Sequence, residues 1–308
     1  MTVGPATMLQ ATPEFILGAV SGLLSAFLYA VSINVYKSQS ANIRPVAVTI
    51  IKMWISLPFM IVLVLLLGSA SAAIPADAAV LLSLSIITGA LVGDTTYLMA
   101  QNRIGVSHAF PIAGAHPIMT YVVAVFFLGE QFALVRASGV LLAVLGIILI
   151  SRGRSDIPQE GQERHGLSVV GIGLAIFTLT QYSLAAVLTS VGVSGVDPIE
   201  GNLLRIIVGS AVCIPAFIGA TQRGMPIPSR RVTKLVVLAG FLGMSIGSVF
   251  YIVSFKYVGA AVGSVVASTS PLFAVPISLV FLKERVSRTG VVGIAVTIIG
   301  VFLVLVGF

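Results

Sequence analysis

The chain has 308 residues, 57% of them apolar and only 9% charged, with a mean hydropathy of +1.11. That excludes a soluble domain, whose surface must be solvated, and makes lipid the solvent. The single cysteine, Cys213, rules out an internal disulfide, and the net charge of +7 is scattered singly through short loops, which reads as membrane topology rather than nucleic-acid binding.

The first apolar run, near 15–37, is long enough to cross about 30 Å of hydrocarbon at about 1.5 Å per residue. No Lys or Arg precedes it within the first 14 residues, so it is expected to stay as a helix rather than be cleaved as a signal peptide. Ser21, Ser25, Tyr29, Ser32 and Tyr36 recur every three or four residues and share one of its faces. Lipid cannot satisfy these groups, so they line a cavity or join packed helices. The second run, near 46–68, carries Lys52 about seven residues from its start. The third, near 78–101, has Asp94 about seven residues before its end, together with Gly89, Gly93, Tyr97 and Gln101. Counted from the same face, Lys52 and Asp94 lie at similar depth. An ion pair between them relieves two buried charges that cost about 2.5–3.5 kcal/mol each on insertion scales; Asp94 is also a candidate coupling carboxylate.

The fourth run, near 104–128, contains His108, Pro111, His116 and Pro117. Its prolines remove backbone donors, so a broken helix is expected, with the carbonyl of Ala113 freed one turn before Pro117. Such breaks mark binding sites in carriers, and His108 and His116 are candidates for substrate contact or proton relay. The fifth run, near 134–151, has a small-residue face of Gly139, Ala143 and Gly146 that suits internal packing or dimerisation. The hydrophilic stretch 152–166 follows, separating a first half, 1–151, from a second, 167–308.

The second half supplies runs near 167–190, 199–220, 233–256, 258–282 and 289–307. In the first of these, Thr178, Gln181 and Tyr182 form a polar face; aligning Gly22 with Gly171 sets Tyr29 opposite Thr178 and Ser32 opposite Gln181. Arg205 takes the place of Lys52, but Ser248 stands where Asp94 would supply an acid, so Arg205 is expected to pair with Glu200, to snorkel, or to hold a substrate carboxylate or phosphate. Tyr251 matches Tyr97, and Ser264, Ser268 and Pro271 interrupt the ninth run as Pro111 and Pro117 interrupt the fourth. Gly293, Thr297 and Gly300 repeat the small-residue face.

Slid by 154 residues, 89–150 meets 243–304 without a gap, pairing Gly89 with Gly243, Gly105 with Gly259, Pro117 with Pro271 and Glu130 with Glu284. Five spans per repeat is an odd number, so the second half enters the membrane from the opposite side. The expected fold is all-α and integral to the membrane, with ten transmembrane helices in two inverted five-helix repeats and the substrate site between them.

The stretches 117–153 and 271–307, each with a Pro-containing helix, a Leu-x-Glu turn (Leu128-Gly129-Glu130 and Leu282-Lys283-Glu284) and a Gly-rich closing helix, resemble the end of the repeat in EamA-type carriers of the drug/metabolite transporter superfamily. Pro45 with Lys52 and Pro198 with Arg205 resemble the opening of that repeat's second helix, so the likeness spans nearly the whole chain. It implies a central cavity, alternating access and transport, often export, of small metabolites across the cell membrane, with both termini in the cytoplasm. The loops say otherwise about orientation: 13 of the 17 Lys and Arg residues lie in loops opposite the termini and two, Arg136 and Lys256, on the termini side, which places the termini outside.

The residues and the resemblance together describe a secondary transporter for amino acids or organic acids. Its partners are a small-molecule substrate, the bilayer and, through Asp94 or a histidine, protons; uniport or exchange would leave the same sequence. No nucleotide-binding motif, cofactor site or metal-ligand spacing is present. Glu130 and Glu284 are expected to cap the helices they precede. Two alternatives are a non-transporting accessory subunit and a membrane enzyme acting on lipid-linked substrates; the second lacks any paired acidic motif or nucleophile set at one membrane depth.

Overall fold

A computed structural model describes residues 12–39, 42–68, 74–155, 168–282 and 287–307. Glu284 and most of the 152–166 stretch fall outside them. Helix 1 (Pro13–Ser38), helix 2 (Pro45–Leu67) and helix 3 (Ala76–Ile104) are followed by helix 4 in two pieces, Val106–Ala113 and His116–Phe127, and by helix 5 (Leu134–Ser155). The second repeat opens with helix 6 (Val169–Val193) and helix 7 (Pro198–Gln222). Helices 8 and 9 form one run, Arg230–Ala267, that turns sharply at Gly259 (φ 78°), and helix 9 resumes as Ser270–Leu282 before helix 10 (Arg288–Val306). Among the described residues nine runs are long and apolar enough to cross a membrane. The longest joins helix 8 to the first piece of helix 9, whose second piece, Ser270–Leu282, lies outside the nine; counting helix 9 as one broken span restores the ten of the two-repeat plan. Side chains such as Leu65, Phe126 and Phe127 stand out from the bundle, as a hydrocarbon solvent allows.

The irregularities repeat as faithfully as the helices do. A π-helical stretch interrupts helix 3 at Ile87–Gly93 and helix 8 at Phe241–Ile246. Gly105 (φ 73°) and Gly259 make matching left-handed turns that a side chain would strain. The helix breaks lie at Gly114–Ala115 and Ser268–Thr269, with Pro117 and Pro271 each second in the piece that follows, where a missing donor costs nothing. Pro111 is different: it sits inside Val106–Ala113, ahead of the break, and does not itself end the helix.

The repeats interlock. The small faces of helices 5 and 10 are spent on each other, for a Cβ on Gly300 would stand 2.2 Å from Ala143 N and one on Gly146 2.4 Å from Thr297 N. Packing within the chain is therefore what these residues serve. Helix 1 lies across helices 8 and 9, where Gly18 abuts Tyr257 and Val258; helix 6 lies across helices 3 and 4, where Gly171 abuts Arg103 and Ile104, the matching pair. Gly171 thus answers to Gly18 rather than Gly22. The corrected register sets Tyr29 opposite Tyr182 instead of Thr178.

Glu130 also departs from expectation. It does not cap helix 5, which follows it, but reaches into the other repeat, where its Oε1 accepts from Ala260 N (3.0 Å) and Ala261 N (3.4 Å) at the start of helix 9. The turn at Gly259 exposes those donors, and the absence of a Cβ there admits the carboxylate.

Candidate functional site

A cavity of about 220 Å³ lies between the repeats, walled by helices 1, 3, 4, 6, 7, 8 and 9. Drug-sized ligands occupy roughly 300–1,000 Å³, so this space suits a small metabolite. Tyr29, Asp94, Tyr97, His116, Tyr182, Arg205, Ser248 and Tyr251 all line it. The corrected register explains the four tyrosines: Tyr29 with Tyr182 and Tyr97 with Tyr251 are two symmetry-related pairs.

The first repeat's cation is neutralised. Lys52 Nζ donates to Asp94 Oδ2, joining helices 2 and 3, and Tyr182 Oη donates to Asp94 Oδ1 at 2.9 Å. Asp94 begins the regular helix just after the π-helical stretch, and Gly93 beside it leaves room for the Tyr182 ring, whose Cε1 would lie 2.8 Å from a Cβ at that position.

The second repeat is built differently. Arg205 is 5% exposed; its Nε donates to Ser85 Oγ (3.0 Å), its Nη1 to Asn202 Oδ1 (3.4 Å), and its guanidinium carbon lies 5.4 Å from the centre of the Tyr251 ring. Asn202 Nδ2 donates in turn to Ser248 Oγ at 2.8 Å. Arg205 neither snorkels nor pairs with Glu200, and among the described residues no carboxylate lies within ion-pair distance of it. Burial in hydrocarbon makes neutral hydrogen bonds and a ring face its partners.

The two helix breaks meet at the cavity. His116 Nε2 and Ser268 Oγ lie 3.3 Å apart, and the His116 ring meets that of Tyr182 edge-on at 5.6 Å. Hydroxyls also serve the break itself: Ser268 Oγ donates to Ser264 O (2.7 Å) and Thr269 Oγ1 to Val266 O (2.6 Å). His116 and Ser270 open the second pieces of helices 4 and 9, so two helix N-termini, with their positive partial charge, face the cavity.

Four expected lining residues lie elsewhere. Ser32 is wholly buried and ties helix 1 to helix 8, its Oγ lying 2.7 Å from Ala239 O and 2.9 Å from Leu28 O. Thr178 is packed under helix 3, with Oγ1 2.8 Å from Thr96 Oγ1 and 2.9 Å from Leu174 O. Gln181 is one residue, about 100° of helix turn, away from Tyr182 and misses the cavity. His108 is exposed and turns back toward the end of helix 3, Nδ1 lying 2.9 Å from Ile104 O. Ser85, Asn202 and Phe110 escaped sequence reasoning; only Asn202, three residues before Arg205 on the same helical face, carried a signal.

Matches to the EamA-like transporter family cover residues 16–152 and 169–306, one per repeat. The chain belongs to this family. It is a multi-pass integral membrane protein. Relatives of this EamA-like chain include YdfC of Bacillus subtilis, described as an uncharacterized transporter, which is 30% identical over 116 residues, 38% of this chain and 37% of its own. The WAT1-related protein At3g02690, chloroplastic, of Arabidopsis thaliana is 28% identical over 211 residues, 63% of this chain and 46% of its own. An uncharacterized transporter of Archaeoglobus fulgidus is 30% identical over 128 residues, 41% of this chain and 44% of its own. The chain thus spans less than half the length of each of these curated relatives. A solved protein crystal structure superposes on 93% of this chain and 95% of its own with a TM-score of 0.76 at 17% identity, a likeness of fold alone.

Proposed function

We propose that this EamA-like chain is a secondary transporter of small carboxylate-bearing metabolites, amino acids or organic acids, working by alternating access, with export as the direction the family resemblance implies. Arg205 carries the reading: a buried guanidinium at the cavity wall, held in place by Ser85 and Asn202. A carboxylate or phosphate matches that donor geometry, and the small cavity favours the carboxylate of a metabolite. The two facing helix N-termini support the same sign of charge.

Purified protein in liposomes, assayed for counterflow of labelled amino acids and organic acids, tests this. A charge-assisted hydrogen bond is worth roughly 1.5–3 kcal/mol, so Arg205→Ala is expected to weaken transport by about tenfold or more, and Arg205→Lys to recover part of it. Flux that is indifferent to both substitutions would sink the proposal. Absence of flux for every carboxylate offered would favour an accessory role instead.

A further inference from the structure

The repeats are symmetric in shape but not in charge, and the difference bears on which carboxylates the cavity accepts. Lys52 and Arg205 sit seven residues after Pro45 and Pro198 respectively. Asp94 and Ser248 are likewise a symmetry pair. In the first repeat the cation meets its acid. In the second, Ser248 takes the acid's place and is bound to Arg205 only through neutral Asn202. Of the two cations and one carboxylate gathered here, one positive charge is left over, and among the described residues Asp94 and Arg205 are the only Lys, Arg, Asp or Glu that line the cavity.

We infer that the transported species is an organic monocarboxylate without an ammonium group, selected over the amino acid of the same skeleton because it alone neutralises the site. This rests on the carboxylate reading of Arg205. A monoanion brings the cavity to zero net charge, whereas a zwitterion leaves the excess positive charge buried and a dicarboxylate replaces it with a negative one. An unneutralised charge at this depth is what a membrane interior penalises most. The natural seat for an ammonium is also taken: each Asp94 oxygen already accepts a hydrogen bond, one from Lys52 and one from Tyr182. An incoming ammonium would meet Lys52 at close quarters or displace it.

Matched pairs that share a carbon skeleton and differ only at C2 test the inference on the full-length protein in detergent. Suitable probes are 4-methyl-2-oxopentanoate against leucine and 2-oxo-3-phenylpropanoate against phenylalanine, with binding followed by titration calorimetry. At least one oxo acid is expected to bind at least about tenfold more tightly than its amino acid. Ser248→Asp, which rebuilds in the second repeat the acid of the first, is expected to abolish that advantage; the wild-type comparison stands even if Ser248→Asp fails to fold. Amino acids that bind as tightly as their oxo acids, in a manner lost in Arg205→Ala, would overturn the monoanion inference and leave the carboxylate reading in place. Binding of either class that is unchanged in Arg205→Ala, or no binding by any of the four, would overturn both.

Discussion

Lys52 shows how one side chain's surroundings decide its role. Its ammonium, buried seven residues into helix 2, is tolerable only because Asp94 of helix 3 faces it. Removing one partner strands the other charge in a low-dielectric interior, which costs about 3–5 kcal/mol, whereas removing both leaves little penalty. Lys52→Met and Asp94→Asn are each expected to lower the thermal unfolding midpoint in detergent, and the double variant to recover most of the loss; additive losses would mean that the pair is not the energetic unit. The pair was legible in the sequence because both residues count the same depth from one membrane face. Arg205 was half legible. Its depth and its missing symmetry partner could be read, but not its hydrogen bonds to Ser85 and Asn202, which depend on how helices 3 and 7 are rotated.

Element-scale packing turns on glycine. Helices 5 and 10 approach until backbone meets backbone, and without a hydrophobic drive between helices in lipid such contact is what holds them together. Gly173, on helix 6, has nothing within 4 Å of the place where a Cβ would stand. Gly300→Val is therefore expected to abolish the monodisperse peak in size-exclusion chromatography. Gly173→Ala should be neutral or stabilising by about 0.5–1 kcal/mol through helix propensity, read as an unchanged or higher unfolding midpoint. The sequence placed Gly300 on a small-residue face without saying what it meets, because a small residue carries no record of what lies opposite it. The same blindness misread helix 6: Thr178, Gln181 and Tyr182 all looked cavity-facing by periodicity, and the contact of Gly171 with Ile104, which fixes the rotation, is tertiary.

At the scale of the whole molecule the two faces of the membrane differ in charge. On the side of the termini, Arg136 is buried and Lys256 Nζ is bound to Val196 O at 2.8 Å, so that face offers little exposed positive charge of its own. The loop-charge rule then expects an active alkaline phosphatase fusion at the C-terminus, on the outside; a fluorescent, phosphatase-silent fusion would follow the family resemblance instead. What the sequence by itself determined is the membrane environment, the ten spans, the inverted repeat, the proline breaks and the Lys52–Asp94 pairing. These follow from hydropathy, periodicity and self-similarity, which are properties of the chain read locally or against its own copy. Only the tertiary structure decided that Ser32, His108, Thr178 and Gln181 leave the cavity while Ser85 and Asn202 join its arginine, and that Glu130 caps helix 9 of the opposite repeat. Each of those outcomes depends on the rotation and offset of one helix against another, which are set by close backbone contacts at glycines distant in sequence from the groups they orient.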